Sequence, residues 1–470
     1  MADYDAIIIG TGQAGPALAR RLAAAGSKIA IIERKLFGGT CVNNGCTPTK
    51  TLVASAYAAY LARRAGDYGV TIGGPIAVDM KAVKARKDAV VRPSREGVER
   101  SLKTLKGCTV FEGHAHFVGP KSVQVGDKVL TADKIFINVG ARASVPPIRG
   151  LDQVPYLTNS SMMDVDFLPS HLIVLGGSYV GLEFAQVYRR FGSEVTVIEL
   201  APHLIAREDE DVSRAVEEIL KDEHIDVRVN SKVVAVAKQG RNIAVTIENA
   251  GATSQIIGSH LLLAIGRRPN TDDLGLDKAG VATDSRGYIQ VDDQLRTSVP
   301  GIWALGDCNG RGAFTHTAWN DHEIVADNLL AGADRKVTDR VPIYALFTDP
   351  PLGRVGLSES EALRAGGEVL VGRRAMTQVA RAVERGETQG FMKVVVDAKS
   401  RRILGAAVLG VGGDEAVQTL VDAIYAQLPC DQVRGGVRIH PTVAELIPTV
   451  LGELASRTRS SATAQEPHNV

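Results

Sequence analysis

The pattern of apolar and polar positions at the start of the chain predicts a strand–helix–strand unit. An apolar run at 6–10, rich in β-branched residues, ends in glycines, and a helical stretch separates it from a second apolar run at 29–33. The same order returns from about residue 169, with predicted strands at 172–175 and 194–199 and a helix ending near Arg190. The repeated unit indicates an α/β fold with two Rossmann-like dinucleotide-binding domains.

The final third of the chain has a different pattern. From about residue 341, predicted strands at 392–396 and 403–408 alternate with helical stretches, and the sequence has no further glycine-rich fingerprint. This pattern indicates an α+β C-terminal domain. A polar tail rich in small residues, at 456–470, is expected to be mobile.

The first glycine-rich turn has the composition of a nucleotide-binding site. Gly10, Gly12 and Gly15 follow the first predicted strand and open a helix, and Glu33 ends the second strand. Glycine at these positions permits a tight turn and lets a pyrophosphate approach the helix N-terminus. The carboxylate of Glu33 is spaced to bind a ribose hydroxyl group. Because strand, helix and acid occur in register, we predict that this unit binds a nucleotide.

The second unit carries a variant of the same turn. It reads Gly176-Gly177-Ser178-Tyr179-Val180-Gly181, with serine in place of the middle glycine, and Glu199 ends its second strand. A carboxylate there accepts a hydrogen bond from a ribose 2′-hydroxyl and repels a 2′-phosphate, which favours NAD over NADP. The structural alternative is a solvated acid at a strand end. Because His203 and Arg207 follow closely, NADP stays open as a cofactor.

Composition and charge narrow the class of protein. Hydrophobic residues make up 45% of the 470 residues, charged residues make up 23%, and the net charge is +1. These values are ordinary for a globular protein and predict no attraction to nucleic acid or to an anionic membrane. The N-terminus has no signal-peptide pattern and no apolar run is long enough to span a bilayer, so we expect a cytoplasmic protein.

Two of the five cysteines, Cys41 and Cys46, are close enough in sequence to indicate redox chemistry. An odd, sparse set of cysteines argues against a structural disulfide framework. A bridge between these two would close a very short loop and stabilise the protein by only about 2 kcal/mol. A short, accessible bridge is instead suited to exchanging electrons. Zinc would require further Cys or His neighbours, which the surrounding sequence lacks, and two inert thiols are the remaining alternative.

His440 and Glu445, near the C-terminus, form a candidate acid–base pair. A histidine can take the proton of a thiol, and a carboxylate can hold the imidazole in the required tautomer. Taken alone, such a pair is more often structural. The upstream cysteines favour the catalytic interpretation, because thiolate chemistry requires a proton acceptor.

Together these motifs resemble those of the class I pyridine nucleotide–disulfide oxidoreductases, which include dihydrolipoamide dehydrogenase, glutathione reductase, mycothione reductase and mercuric reductase. The resemblance extends from about residue 4 to about residue 454. Its most specific part begins at Gly39-Thr40-Cys41 and ends at Lys50, and is similar to the redox-disulfide signature. Residues 297–307 resemble the second FAD-binding motif, and residues 347–350 resemble the start of the dimer-interface domain.

The resemblance implies two cofactors and a homodimer. It implies FAD in a discontinuous domain formed by 1–150 and 265–335, and the nicotinamide cofactor in a domain at 151–264. It also implies dimerisation through 340–455. In this arrangement the acid–base pair of one subunit would serve the cysteines of the other, so the active site would be shared between subunits.

The resemblance also implies roles for individual residues. Cys46 would face the flavin and Cys41 would meet the substrate. Lys50, paired with Glu183, would lie near flavin N5, where a buried cation stabilises negative charge. Tyr179 would cover the nicotinamide pocket, with a core aromatic as the alternative. The expected FAD contacts are Gly10, Gly12, Gly15, Glu33, Gly39, Thr40, Lys50, Gly140 and Asp307, and the expected nicotinamide-cofactor contacts are Gly176, Tyr179, Gly181, Glu199 and Gly266.

The sequence defines the substrate less closely than the cofactors. We expect a small thiol or disulfide, or a metal ion. Residues 47–50 are most similar to the mercuric-reductase-like branch, but the C-terminal cysteine pair of mercuric reductases is missing from a sequence whose last cysteine is Cys430. Glu199 and the His440–Glu445 pair fit dihydrolipoamide dehydrogenase, although residues 435–439 depart from that enzyme's usual sequence. Glu199 disfavours glutathione reductase.

Two functions from other classes stay open. An NAD(P)H oxidase or quinone reductase would pass electrons from the flavin directly to an acceptor and leave the cysteines idle. A docking subunit of an acyl-transfer complex would act chiefly through its partners, and the sequence has no docking motif.

Overall fold

The first predicted strands form the parallel centre of a seven-stranded mixed sheet. In the computed structural model, which describes residues 2–457, the strand Tyr4–Ile9 pairs with Ile29–Glu33 on one side and Lys128–Ile137 on the other. β-Branched residues suit this position because both faces are covered, and Ile7 and Ile8 are fully buried. The seven strands of the sheet are Tyr4–Ile9, Ile29–Glu33, Cys108–Glu112, Ala115–Gly119, Ser122–Val125, Lys128–Ile137 and Ile302–Ala304.

Helices cover this sheet, and the first of them begins at the glycine-rich turn. Leu18 and Leu22 of the first helix pack into the core beneath the sheet. The strand Ile302–Ala304 returns to pair with Lys128–Ile137 after the second unit is complete, so this sheet is built from two separate segments of the chain. The helices of this part are Ala14–Ala24, Gly39–Asn43, Cys46–Arg63, Met80–Lys103, Leu276–Ala279 and Thr315–Ala331.

The second unit repeats the strand–helix–strand order in a smaller sheet. Its strand His171–Leu175 lies between Glu194–Ile198 and His260–Leu263, and all three are parallel. The remaining elements are the parallel strand Asp226–Arg228, the antiparallel strands Lys232–Gln239, Asn242–Asn249 and Ala252–Gly258, and the helices Tyr179–Phe191 and Glu210–Asp222.

The C-terminal part is a six-stranded antiparallel sheet with short helices. The strands predicted at 392–396 and 403–408 are the neighbouring strands Phe391–Asp397 and Ile403–Leu409. The other strands are Ile343–Leu346, Leu352–Gly356, Val369–Ala375 and Ala455–Arg457, and the helices are Glu359–Arg364, Ala380–Glu384, Gly413–Ala416, Gln418–Tyr425, Cys430–Arg434 and Ile447–Val450.

The first two residues of the predicted polar tail lie in a strand. Ser456 and Arg457 belong to the strand Ala455–Arg457, which pairs with Val369–Ala375 at the edge of the C-terminal sheet. Their backbone groups are therefore held by the sheet, although their side chains are polar. The rest of the predicted tail, 458–470, lies outside the described residues.

One glycine lies where the chain leaves the first unit for the second, and another lies where the chain returns to the first unit. Gly140 and Gly266 have φ values of 66° and 122°. The short strands that follow them, Ala141–Ala143 and Arg267–Pro269, pair with each other in antiparallel fashion, so the two crossings lie side by side. The predicted fold class, two Rossmann-like units and an α+β C-terminal domain, is confirmed.

Candidate active site

The first glycine-rich turn leaves its strand in a conformation that requires glycine. Gly10 has a φ of 102°, and a side chain there would place its Cβ 2.3 Å from the carbonyl oxygen of Asn138. A Cβ on Gly15 would lie 2.4 Å from the carbonyl oxygen of Gly10. The helix Ala14–Ala24 begins at this turn, and its first-turn N–H groups have no acceptor within the helix. These groups fit the pyrophosphate of a dinucleotide.

Glu33 lies beside the same turn. Its Oε2 accepts hydrogen bonds from the hydroxyl of Thr11, at 2.6 Å, and from the N–H of Thr11, at 3.1 Å. Its Oε1 accepts a bond from the N–H of Lys35 at 2.9 Å. These bonds fix the carboxylate at the end of the strand Ile29–Glu33, where it fits a ribose hydroxyl group.

Asp307 lies at the end of the strand Ile302–Ala304, on the same edge of the sheet. Burial raises the pKa of its carboxyl group, while the guanidinium of Arg267, at 3.2 Å, lowers it. The preceding Gly306 has a φ of 73°, and its N–H donates to Asp321 at 2.7 Å. Two separate segments of chain thus present the groups that would hold FAD, the first glycine-rich turn and Asp307.

The cysteine segment packs directly on the first glycine-rich turn. Cys41 lies on the short helix Gly39–Asn43, and Cys46 begins the long helix Cys46–Arg63. A Cβ on Gly39 would lie 2.8 Å from the Cα of Gly12, so glycine is required for this close approach. Thr40 lies between Gly39 and Cys41 on the same short helix. The redox pair is therefore placed against the proposed cofactor site by backbone packing.

The two thiols of this pair have opposite electrostatic environments. A hydrogen bond from Cys41 lowers the pKa of Cys46 to about 6, with further help from Thr315 and the charge of Lys50. Desolvation and the charge of Glu183 act in the opposite direction but are outweighed. The hydrogen bond to Cys46, together with burial, raises the pKa of Cys41 well above its ordinary value. These surroundings favour negative charge on Cys46 and a retained proton on Cys41.

Lys50 and Glu183 form an ion pair one helical turn beyond Cys46. The Nζ of Lys50 donates to both carboxylate oxygens of Glu183, at 2.8 and 2.7 Å. The Glu183 side chain is 6% exposed, so its charge depends on these partners. The backbone N–H of Phe347 donates a third bond to it, at 3.1 Å.

The second glycine-rich turn repeats the features of the first. Gly176 has a φ of 112°, and a Cβ there would lie 2.4 Å from the carbonyl oxygen of Ala264. A Cβ on Gly181 would lie 2.0 Å from the carbonyl oxygen of Gly176. Glu199 accepts hydrogen bonds from the N–H groups of Gly177, at 2.6 Å, and Ala201, at 2.7 Å. The turn and its acid fit a second dinucleotide.

Tyr179 begins the helix that follows this turn. Its ring meets the rings of Phe314 and Tyr344 edge to face, with centroids 5.8 and 5.5 Å away. Burial raises the pKa of its hydroxyl to about 12, so the group stays neutral. Tyr179 is thus part of an aromatic cluster beside the second turn, and its covering of a nicotinamide stays a prediction.

His440 and Glu445 are paired on an exposed segment of the C-terminal part. The Nδ1 of His440 lies 3.0 Å from both carboxylate oxygens of Glu445, and the histidine side chain is 73% exposed. This contact engages Nδ1, and within residues 2–457 the Nε2 of His440 makes no hydrogen bond. Among residues 2–457 of one chain, the side-chain hydrogen bonds of His440 are to Glu445, and none reaches Cys41 or Cys46.

Sequence reasoning missed two residues of the site. Thr315, whose hydroxyl oxygen lies 3.1 Å from the Cys46 sulfur, carries no motif of its own in the sequence. Phe347 was identified as the start of a domain, but its contacts with the Lys50–Glu183 pair depend on the tertiary fold. The other cysteines have no comparable setting: Cys308 and Cys430 are buried, and Cys108 is half-buried.

Turns, acids and a redox cysteine pair in this order define a class of protein. The chain matches the pyridine nucleotide-disulphide oxidoreductase family over residues 4–321, and the dimerisation domain of that family over residues 343–451. The chain therefore belongs to the pyridine nucleotide–disulfide oxidoreductase family. It is an FAD-dependent pyridine nucleotide–disulfide oxidoreductase.

Several characterised proteins are similar along nearly their whole length. The chain is 36% identical over 453 residues to the probable pyridine nucleotide-disulfide oxidoreductase RclA of Escherichia coli, covering 95% of this chain and 98% of that protein. It is 35% identical over 468 residues to the mercuric reductase of Streptomyces lividans, covering 98% and 97%. The structure of RclA, described as an HOCl-induced flavoprotein disulfide reductase, superimposes with a TM-score of 0.87 at 34% identity, covering 96% and 99%. Its Cu(II) complex gives 0.86 at 35% identity, covering 94% and 98%.

The described part of the chain was compared with two structural requirements, that of a membrane-spanning helix and that of a metal-ligand cluster. Among residues 2–457, no helix combines the length and the apolar character needed to cross a bilayer. Within the same residues, His, Cys, Asp and Glu side chains do not gather in groups of three or more that could hold a metal ion.

Proposed function

We propose that this enzyme uses NADH to reduce a thiophilic metal ion, such as Cu²⁺, or a small disulfide at the Cys41–Cys46 pair. The observation that carries the proposal is the setting of the cysteine pair, in which the Cys46 sulfur lies 3.1 Å from the Thr315 hydroxyl oxygen and the Lys50–Glu183 ion pair lies one helical turn beyond it. Thiolates bind soft metal ions and take part in thiol–disulfide exchange. FAD, when bound, supplies the chemistry that links the two-electron nicotinamide to the cysteines.

The protonated state of Cys41 creates a requirement for a base. Cys41 must lose its proton before it can attack a substrate disulfide, because the thiolate is the nucleophile. We propose that the His440–Glu445 pair of a second subunit accepts this proton. The neighbouring Val437 and Ile439 are 97% and 80% exposed, a degree of exposure that supports burial of this segment in a homodimer.

The names of two relatives support the choice of a metal ion as the first substrate to test. One similar structure is a Cu(II) complex, and one similar protein is a mercuric reductase. With copper, one NADH and two Cu²⁺ give NAD⁺, two Cu⁺ and one H⁺. With a disulfide, one NADH, one H⁺ and the disulfide give NAD⁺ and two thiols. The two reactions therefore differ in whether they consume a proton.

We further propose that NADH is preferred to NADPH, because the carboxylate of Glu199 lies at the strand end where a ribose 2′-phosphate would be repelled.

The proposed domains are those of the sequence prediction, with FAD in 1–150 and 265–335, NADH in 151–264 and dimerisation through 340–455. A reducing compartment, the cytoplasm, would keep the thiols in the state that this chemistry requires.

Steady-state assays with NADH and NADPH against Cu²⁺, Hg²⁺, lipoamide, small disulfides and a quinone test this function. The proposal predicts that Cys41→Ser and Cys46→Ser each abolish reduction of metal ions and disulfides while retaining bound FAD. Reduction of Cu²⁺ or a disulfide at the wild-type rate by the double variant would contradict it. An enzyme whose best acceptor is the quinone, and whose rate is unchanged in the double variant, would instead be a quinone reductase.

Mixed dimers test the proposed sharing of the active site. His440→Asn and Cys46→Ser are each expected to be inactive with a disulfide. If the site is shared, a dimer with one chain of each kind contains one intact site, formed by the cysteines of the first chain and the histidine of the second. Refolding the two variants together should then restore part of the disulfide reductase activity. If no activity returns although mixed dimers form, the site is not shared in this way.

A further inference from the structure

The Lys50–Glu183 ion pair has a third member, Phe347. This residue follows the strand Ile343–Leu346 and comes from the C-terminal part of the chain. Its backbone N–H donates to Glu183 Oε1 at 3.1 Å, and its ring centroid lies 4.4 Å from the Lys50 Nζ. One residue thus contacts the anion through its backbone and the cation through its ring.

The two contacts restrict different groups. Glu183 accepts two bonds from Lys50 and one from Phe347, so its carboxylate is held from two sides. The Lys50 side chain is 34% exposed and has four rotatable bonds, so its ammonium could turn towards water. An ammonium over an aromatic face is attracted by the negative charge of that face. The ring of Phe347 therefore opposes this movement.

The position of the Lys50 ammonium matters because it acts on Cys46. The positive charge of Lys50 lowers the pKa of Cys46, and the negative charge of Glu183 raises it. The two effects oppose each other, so their sum depends on where the ammonium lies relative to the carboxylate. Among the largest effects on the pKa of Cys46, those from charged or titratable groups come from Cys41, Lys50 and Glu183.

We propose that Phe347 is a positioning residue for the redox pair: its ring holds the Lys50 ammonium between Glu183 and the cysteines. The C-terminal part of the chain would thereby influence the charge of the Cys46 thiol without contacting it. This proposal rests on the proposed function only in taking Cys46 as the thiol that carries the charge.

Substitution of the ring alone tests the proposal. Phe347→Leu removes the aromatic face and keeps the backbone N–H that Glu183 requires, and Phe347→Tyr is the matched control that keeps the face. Phe347 is only half-buried, so both variants are expected to fold. The readout is the rate of iodoacetamide alkylation of Cys46 against pH in the thiol-reduced protein, with the modified peptide identified by mass spectrometry. It requires neither FAD nor NADH.

The expected result is an upward shift of the alkylation midpoint by about half a pH unit in Phe347→Leu. In Phe347→Tyr the midpoint should match the wild type. In a Lys50→Met background, Phe347→Leu should produce no further shift, because the charge that the ring positions is gone. A purely structural role would lower thermal stability and leave the midpoint unchanged, which would overturn the proposal.

The test separates this proposal from the proposed function. A wild-type protein that fails to reduce metal ions and disulfides would contradict the proposed function, yet the alkylation midpoints would still report on Phe347. Conversely, a Phe347→Leu midpoint equal to that of the wild type, or an equal shift in the Lys50→Met background, would overturn the positioning role whatever the substrate is.

Discussion

The sulfur of Cys46 lies 3.1 Å from the hydroxyl oxygen of Thr315, although 269 residues separate them in sequence. Each residue begins a helix, Cys46–Arg63 and Thr315–Ala331 respectively. The N-terminal turns of two helices therefore meet at one sulfur atom. Both ends carry partial positive charge, which favours a thiolate. This arrangement helps to place the negative charge of the redox pair on Cys46 instead of Cys41.

Removing the Thr315 hydroxyl should make the Cys46 thiolate harder to form. A hydrogen bond to a charged group contributes about 1.5 kcal/mol or more, which corresponds to about one pKa unit. Thr315→Val should therefore raise the pKa of Cys46 from about 6 to about 7. The pH dependence of thiolate absorbance in the reduced protein measures this shift. Thr315→Ser keeps the donor and should behave as the wild type, so an equal shift in both variants would contradict the role of the hydroxyl.

The charge of Glu199 should set the choice between NADH and NADPH. Glu199→Gln removes the charge and keeps one oxygen, which can replace only one of the two carboxylate oxygens that accept bonds from the N–H groups of Gly177 and Ala201. The ratio of kcat/KM for NADH to that for NADPH should fall about tenfold, because the charge-assisted bond to the ribose is weakened and repulsion of a 2′-phosphate ends. A wild-type enzyme that prefers NADPH, or an unchanged ratio in the variant, would contradict this role.

The His440–Glu445 pair should matter for disulfides and not for copper. Disulfide reduction needs a proton to be taken and returned, whereas the reduction of Cu²⁺ to Cu⁺ consumes none. His440→Asn should lower kcat for a disulfide by about a hundredfold or more, the usual contribution of a general acid–base group. In the same variant, the rate of Cu²⁺ reduction by NADH should differ from the wild-type rate by about twofold at most. Such a change is small compared with the loss expected for the disulfide. Equal losses with both substrates would indicate a structural role.

A buried ion pair away from the cysteines should make stability depend on acid pH. Burial alone would raise the pKa of Asp209, but Lys393, whose Nζ lies 2.9 Å away, and the N–H of Ser360 together lower it to about 2. Because the folded pKa is depressed, this contribution to stability is present above about pH 4 and is lost as the pH falls towards 2. Integrated over that range, the loss is about 2 kcal/mol.

Urea unfolding of the wild type and of Asp209→Asn tests this dependence. The variant cannot titrate at this position, so the difference in unfolding free energy between the two proteins should shrink by about 2 kcal/mol between pH 4 and pH 2. Asp222→Asn is a suitable control, because it replaces an exposed carboxylate on the helix Glu210–Asp222, which Asp209 immediately precedes. A difference that stays constant over this range would show that Lys393 does not stabilise the charged form of Asp209.

The sequence predicts local features of this protein better than contacts between distant segments. The turns at Gly10 and Gly176 could be found because a tight turn between strand and helix demands glycine, and the strand at 29–33 has the predicted bounds. The pairing of Lys50 with Glu183 came from resemblance, since nothing local connects them. Thr315 and Phe347 carry no signal of their own, because hydroxyls and aromatic rings occur everywhere and only folding brings these two to the cysteine segment.

We expect electrons from NADH to reach the Cys41–Cys46 pair. The most direct test of this transfer is an anaerobic titration of the oxidised enzyme with one equivalent of NADH, followed by a thiol count under denaturing conditions. Of the five cysteines, three should react before the addition if one bridge is present, and all five should react afterwards. The wild type should show this gain of two thiols. A flavin bleached by NADH with no gain in thiols would contradict it.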